Sequence, residues 1–197
     1  MLHRDDTASR MGMWLFLFTE LMLFGTLFII YAVFRTFYGD AFAAASAHLD
    51  RTMGTLNTVI LLVSSLTMGI STVALKKGKV NLSMAWLGGT MALAIWFFIN
   101  KMFEWGGKIS HGIYPGSELL ESLSKGEVLF YGLYYVMTGI HGFHIVLGVI
   151  ILGVMMYFIK TGNQNPNRHA AYENVGLYWH IVDLMWGFLF PLFYLIS

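Results

Sequence analysis

Apolar residues fall into five long runs, and the polar and charged residues gather between them. The runs cover residues 11–37, 52–75, 82–105, 128–159 and 171–196. Each reaches the roughly 20 residues that a helix needs to cross a bilayer. The breaks between them carry turn chemistry: Lys76-Lys77-Gly78-Lys79, a stretch with His111, Pro115 and Glu127, and a loop of Gly, Asn and Pro around Pro166. The pattern predicts an all-α polytopic membrane protein, a five-transmembrane-helix bundle. It forms one domain over residues 1–197, with no internal repeat and no room for a separate soluble domain. The first run is longer than the 7–15 apolar residues of a secretory signal, so a retained first helix is expected.

Composition strengthens this reading. Hydrophobic residues make up 57% of the 197 and charged residues 12%, against about 25% charged in soluble domains. A net charge of +1 gives no electrostatic case for binding nucleic acid. The absence of cysteine excludes disulfides, iron–sulfur clusters and thiolate-held metals. Arg4, Arg10, the Lys76–Lys79 cluster, Lys160 and Arg168 collect on one side of the five spans. Arg51, Lys108 and Lys125 on the other side are diluted by acids. The positive-inside rule makes the first side cytoplasmic, with the N-terminus there and the C-terminus outside. Ser65-x-x-x-Gly69 and Thr138-x-x-x-Gly142 are small-residue pairs expected to let helices approach closely.

The candidate chemistry is a short set of ionisable residues within the apolar runs: Glu20, His141, His144, His180 and Asp183. Such residues are costly in hydrocarbon and face the interior of a bundle. His141 and His144 are an i,i+3 pair, as are His180 and Asp183, so each pair shares a helix face. Counting about 1.5 Å per residue from the span ends puts all five in one slab of the membrane. They are expected to form a buried polar network. Lys101 and Glu104 lie near the end of their run, as interfacial polar residues. Three readings stand open: a metal or haem site built from these N and O donors, a proton-active or lipid-facing polar patch, and a hydrogen-bonded network that locks helices together.

The motifs also follow a known order. Residues 13–24, which carry Glu20, are followed by Leu56-Asn57-Thr58 running to Ser65. Phe103-Glu104-Trp105 then precedes Gly112-Ile113-Tyr114, and Thr138-Gly139-Ile140-His141-Gly142-Phe143-His144 precedes Tyr178-Trp179-His180-Ile181-Val182-Asp183 and Trp186. In this order they resemble subunit III of the haem–copper oxidases, in the five-helix bacterial form that lacks the first two spans of the longest members. The resemblance implies a non-catalytic subunit of a respiratory terminal oxidase, of the cytochrome c oxidase type, in the bacterial inner membrane. It implies no catalytic residue, cofactor or metal in this subunit, with haem and copper in the partner subunits. Oxygen reduction, coupled to proton translocation in the electron transport chain of aerobic respiration, would occur in subunit I. This chain would pack on subunit I, alongside subunit II and other respiratory-complex subunits, and support proton uptake, stability and lipid binding. Bound phospholipid is expected, and Arg168 and His169 are positioned to meet lipid headgroups. Quinol oxidase subunit III and the accessory subunit of a nitric oxide reductase share the pattern. A stand-alone haem- or metal-binding membrane enzyme is the alternative of a different class.

Overall fold

The computed structural model describes residues 6–161 and 169–196. Seven α-helices follow in order: α1 (Asp6–Phe37), α2 (Gly39–Ala47), α3 (Arg51–Lys76), α4 (Val80–Ser110), α5 (Glu118–Ser122), α6 (Lys125–Lys160) and α7 (His169–Tyr194). No strand occurs among the described residues. Five of the helices are long and apolar enough to cross a membrane: α1, α3, α4, α6 and α7. The helices outrun several of the apolar runs. α4 reaches Ser110, past the expected end at residue 105, and α6 begins at Lys125. Polar residues at helix ends carry no apolar signal, yet they extend a helix whose caps are satisfied. Ser124 and Glu127 form a capping box that starts α6 three residues before the first apolar position.

Helices α3, α4, α6 and α7 close a ring, with contacts α3–α4, α4–α6, α6–α7 and α7–α3, and α1 packs across α6 and α7. Heptad-like stripes build the core. Leu17, Phe24 and Tyr31 repeat every seven residues on α1, and Tyr172, Trp179, Trp186 and Phe193 do so on α7. Much of the rest of α1 is exposed apolar surface, including Trp14, Leu15, Phe18 and Ile29.

The α3–α4 hairpin turns at Gly78, whose φ of 72° suits glycine. Polar side chains hold its two helices together. Thr67 and Thr90 hydroxyls are 2.8 Å apart, Ser71 and Ser83 hydroxyls 3.0 Å, and Asn100 Nδ2 donates to Asn57 Oδ1 at 3.0 Å. The close glycine contact between α6 and α7 lies elsewhere than the sequence suggests. A Cβ on Gly148 would stand 2.7 Å from Trp179 Cζ3, whereas one on Gly69 would meet nothing within 4 Å and one on Gly142 only Phe98 at 3.8 Å. Small-residue spacing marks candidates, and a large aromatic opposite decides which one is used.

Two short helices sit at the end of the bundle where α1 meets α3 in sequence. Ser46 of α2 donates to the Phe193 carbonyl at 2.7 Å, and Phe42 packs edge-on against Tyr31 and Phe130. At the opposite end, Glu173 takes Arg10 at 3.1 Å and Lys76 at 2.9 Å, joining α1, α3 and α7.

Candidate functional site

Glu20 belongs to the inner stripe of α1, between Leu17 and Phe24, so the helix turns its carboxyl toward α6. His144 Nε2 stands 2.8 Å from Glu20 Oε2, with both side chains mostly enclosed. On the other side of the ring, Nδ1 lies 2.8 Å from the Ile140 carbonyl oxygen. A carbonyl can only accept, which assigns a proton to Nδ1. The Nε2–Oε2 approach then needs one more proton, on the ring or on the carboxyl, because two bare lone pairs would repel. Oε2 makes no well-directed hydrogen bond among the described residues, so proximity and that single proton hold the pair. Phe24 packs against the His144 ring, and Tyr178 donates to the His144 carbonyl at 2.8 Å. The cavity beside the pair measures about 10 Å³, which leaves no room for a porphyrin.

His141 is one turn earlier on α6 and faces the ring interior. It is buried between Phe97, edge-on at 5.8 Å, and Trp186 at 5.3 Å. Neither of its ring nitrogens has a hydrogen-bond partner among the described residues. It lines the same small cavity as Glu20 and His144.

On α7 the expected pair divides. Asp183 is buried and accepts from Ser64 Oγ at 3.4 Å, and Trp179 Nε1 donates to the same hydroxyl at 3.0 Å. His180 is exposed on the outside of the bundle, with Nδ1 2.6 Å from Ser65 Oγ. The expectation that His180 belongs to a buried network is therefore corrected. Three residues turn a helix through about 300°, leaving roughly 60° between the two side chains. The buried stripe through Trp179, Val182 and Trp186 takes in Asp183 and leaves His180 on its rim. The five residues thus do not form one network: Glu20 stands with His144 and its neighbour His141, Asp183 with Ser64, and His180 with Ser65, which also reaches toward Asp183.

Lys101 and Glu104 are buried inside the bundle, with side chains 8% and 4% exposed. Tyrosines from α6 and α7 close over them near the C-terminal end of α4. Lys101 Nζ donates to Glu104 Oε2 at 2.9 Å, Tyr194 Oη at 2.9 Å and Tyr134 Oη at 3.2 Å. Both tyrosines donate to Glu104 Oε1, at 2.7 Å from Tyr134 and 2.6 Å from Tyr194. The ammonium also lies 4.9 Å from the Trp186 ring. All three protons of the ammonium and both carboxylate oxygens are engaged.

Sequence reasoning missed Ser64, Ser65, Tyr134, Tyr194 and Trp186 as partners. A signal for the aromatics existed: Tyr134 stands seven residues before His141, and Trp186 seven after Trp179, on the inner heptad stripes. Nothing local distinguishes Ser64 and Ser65 from other small residues of α3. Among the described residues no three His, Asp or Glu side chains come close enough together to hold a metal ion. Arg168 and the side chain of His169 lie outside the described residues.

Residues 5–197 match the family described as cytochrome c oxidase subunit III. The chain is 30% identical over 200 residues to cytochrome c oxidase subunit 3 of Thermostichus vulcanus, covering 99% of this chain and 90% of that protein. It is 28% identical over 196 residues to cytochrome bo(3) ubiquinol oxidase subunit 3 of Pseudomonas putida, covering 99% and 89%. It is also 30% identical over 194 residues to a heme-copper oxidase subunit I+III of Aeropyrum pernix, covering 95% of this chain but 22% of that longer protein. With its motifs in family order on a bundle of five membrane-spanning helices, the chain belongs to the cytochrome c oxidase subunit III family.

Proposed function

We propose that this chain is the non-catalytic third subunit of a bacterial respiratory terminal oxidase, of the cytochrome c oxidase type. It packs on subunit I, beside subunit II, in the inner membrane, with its N-terminus cytoplasmic. There it sustains proton uptake, stability and lipid binding while subunit I, which holds haem and copper, reduces oxygen and pumps protons. The observation that carries this reading is how the ionisable groups inside the spans are used. Glu20–His144 joins α1 to α6, Asp183–Ser64 joins α7 to α3, and the Lys101–Glu104 pair of α4 is tied to α6 and α7 through Tyr134 and Tyr194. The space beside Glu20 and His144 is about 10 Å³, too small for a substrate. Subunit I as partner is supported by the Aeropyrum pernix relative, whose name places I and III in one polypeptide. A lipid role is supported by a groove of about 550 Å³ between α4 and α6, lined by Ile95, Phe98, Met102, Phe103, Val146 and Ile150. Its walls are apolar and suit an acyl chain.

A quinol-oxidizing complex is the second reading, since relatives named for quinol oxidases match over nearly the same length as the cytochrome c oxidase relative. Mild-detergent purification with partner identification and a reduced-minus-oxidised spectrum separates the two. A haem band or stoichiometric metal on the isolated chain would sink the helper reading, and non-haem iron without copper in the complex would point to a nitric oxide reductase. Glu20→Ala is expected to weaken assembly or shorten the life of the enzyme during turnover. Immediate loss of oxygen reduction with the complex intact contradicts the helper role.

A further inference from the structure

His180 is exposed at mid-membrane, and its exposure is not explained by the bundle. It stands nine residues into the α7 span from Ala171 and fourteen before Tyr194, so about 13 Å from the nearer end. Its partner Ser65 is fourteen residues from Arg51 and eleven from Lys76 on α3. The other ionisable groups in the middle of the spans, Glu20, His141, His144 and Asp183, face inward. His180 faces out, with Nδ1 held 2.6 Å from Ser65 Oγ, while Nε2 has no hydrogen bond within the described protein. A buried polar atom without a partner is costly, and hydrocarbon offers none. Leu62, Leu66, Leu177 and Leu184 surround the pair, all exposed. This apolar collar does not sustain a water-filled cleft, and the depth is beyond a lipid headgroup. What remains is another helix.

We propose that the Ser65–His180 pair on the α3–α7 face is a docking point for a transmembrane helix of another subunit of the complex. That helix presents a hydrogen-bonding side chain to His180 Nε2 at mid-membrane depth. The leucine collar supplies the surrounding packing, and the imidazole fixes the register. The proposal rests on the reading of this chain as one subunit of an oxidase, and it names the face that meets the partner.

The test uses the intact complex in its native membrane. A photo-crosslinking amino acid is placed at Leu184 in one preparation and at Leu66 in another. Ultraviolet-dependent adducts to a transmembrane segment of a different polypeptide are the expected result. In parallel, His180→Leu is expected to weaken association with that polypeptide roughly three- to tenfold in a detergent titration, the scale of one hydrogen bond between membrane helices. His180→Gln, which still offers a hydrogen bond, restores it. Should His180→Leu fail to fold, the two crosslinking preparations still decide. Adducts only to lipid, or only between two copies of this chain, overturn the proposal. So does co-purification equal to wild type in folded His180→Leu. A second polypeptide present but untouched by either probe overturns this proposal alone, whereas a chain that purifies with no other polypeptide overturns the oxidase reading as well.

Discussion

Two acid–base pairs lie inside the same bundle and are built on opposite plans. Lys101 and Glu104 are three residues apart on one helix, and five contacts with Tyr134, Tyr194 and each other engage all three ammonium protons and both carboxylate oxygens. Glu20 and His144 come from different helices, and apart from each other the only hydrogen-bond partner of their side chains among the described residues is the Ile140 carbonyl. A buried charge is tolerable when every lone pair and proton is matched. The first pair, with every ammonium proton and both carboxylate oxygens engaged, comes close to that condition and is a lock on the α4–α6–α7 junction. The second leaves Oε2 without a directed bond and shares one proton between two bases. Saturation removes chemical freedom, and the sparser pair keeps it. If either pair handles protons, it is Glu20 with His144.

The largest expected effect comes from opening the saturated pair. Lys101→Met strands the Glu104 carboxylate in the core, and loss of one partner of a buried pair costs about 3–5 kcal/mol. Thermal unfolding of the detergent-solubilised complex should show it. The double variant Lys101→Met with Glu104→Gln removes both charges and should recover a large part of that loss. A double variant as unstable as the sum of its single changes would mean that the two residues are not coupled.

Tyr194→Phe is expected to cost less, about 1.5–3 kcal/mol, the range for a hydrogen bond to a charged group. It deletes one of two phenol donors to Glu104 Oε1 and one acceptor of Lys101. Tyr134→Phe removes the matching pair of contacts from α6 and should act on the same scale. If either change leaves the melting transition where it was, the network is less tightly coupled than its distances indicate.

How far the sequence could have led to these pairs differs between them. The five spans were legible because apolar length alone distinguishes them. Glu20, His141 and His144 were legible as inward residues because polar groups in hydrocarbon have nowhere else to go. Their partition was not. Which side of a stripe an i,i+3 residue falls on depends on roughly 60° of rotation, set by Trp179 and Trp186 packing against Gly148 and Phe97. That information lies across helices and not within one. The burial of Lys101 and Glu104 was hidden for a related reason. Counting from the apolar edge at residue 105 gives their place along α4, near the end of the run, but not the tyrosines from α6 and α7 that enclose them. The helix that carries the most exposed apolar surface, α1, was also the easiest to read. A helix facing mainly outward obeys the simple rule, while one facing many neighbours obeys all of them.

The sparser pair should respond weakly to substitution in stability and clearly in chemistry. Glu20→Gln still offers an amide proton to His144 Nε2, so the expected stability change is within about 1 kcal/mol. A carbodiimide reacts with a carboxyl that carries its proton, so it reports where the proton of the pair rests. With a hydrophobic carbodiimide added to membranes, label on Glu20 that is lost in Glu20→Gln, with Glu104 unmodified behind its lysine, is the expected result. Peptide mapping of the labelled chain reads all three outcomes. Labelling of Glu104 at a rate equal to that of Glu20 would erase the distinction between the pairs.

The smallest effect belongs at the end of the bundle, where Glu173 meets Arg10 and Lys76. These contacts resemble the buried pairs in distance, at 3.1 and 2.9 Å, but the Arg10 and Lys76 side chains are 58% and 50% exposed. Water already solvates both partners, so each bridge is worth about 0–1 kcal/mol and weakens as salt rises. Arg10→Ala should shift the melting temperature only slightly at low salt and not at all at high salt. Lys101→Met, by contrast, should keep its full effect in high salt, because ions do not reach the core. A salt-dependent loss in Lys101→Met, or a large salt-independent loss in Arg10→Ala, would show that water reaches the pair read as sealed, or fails to reach the one read as open.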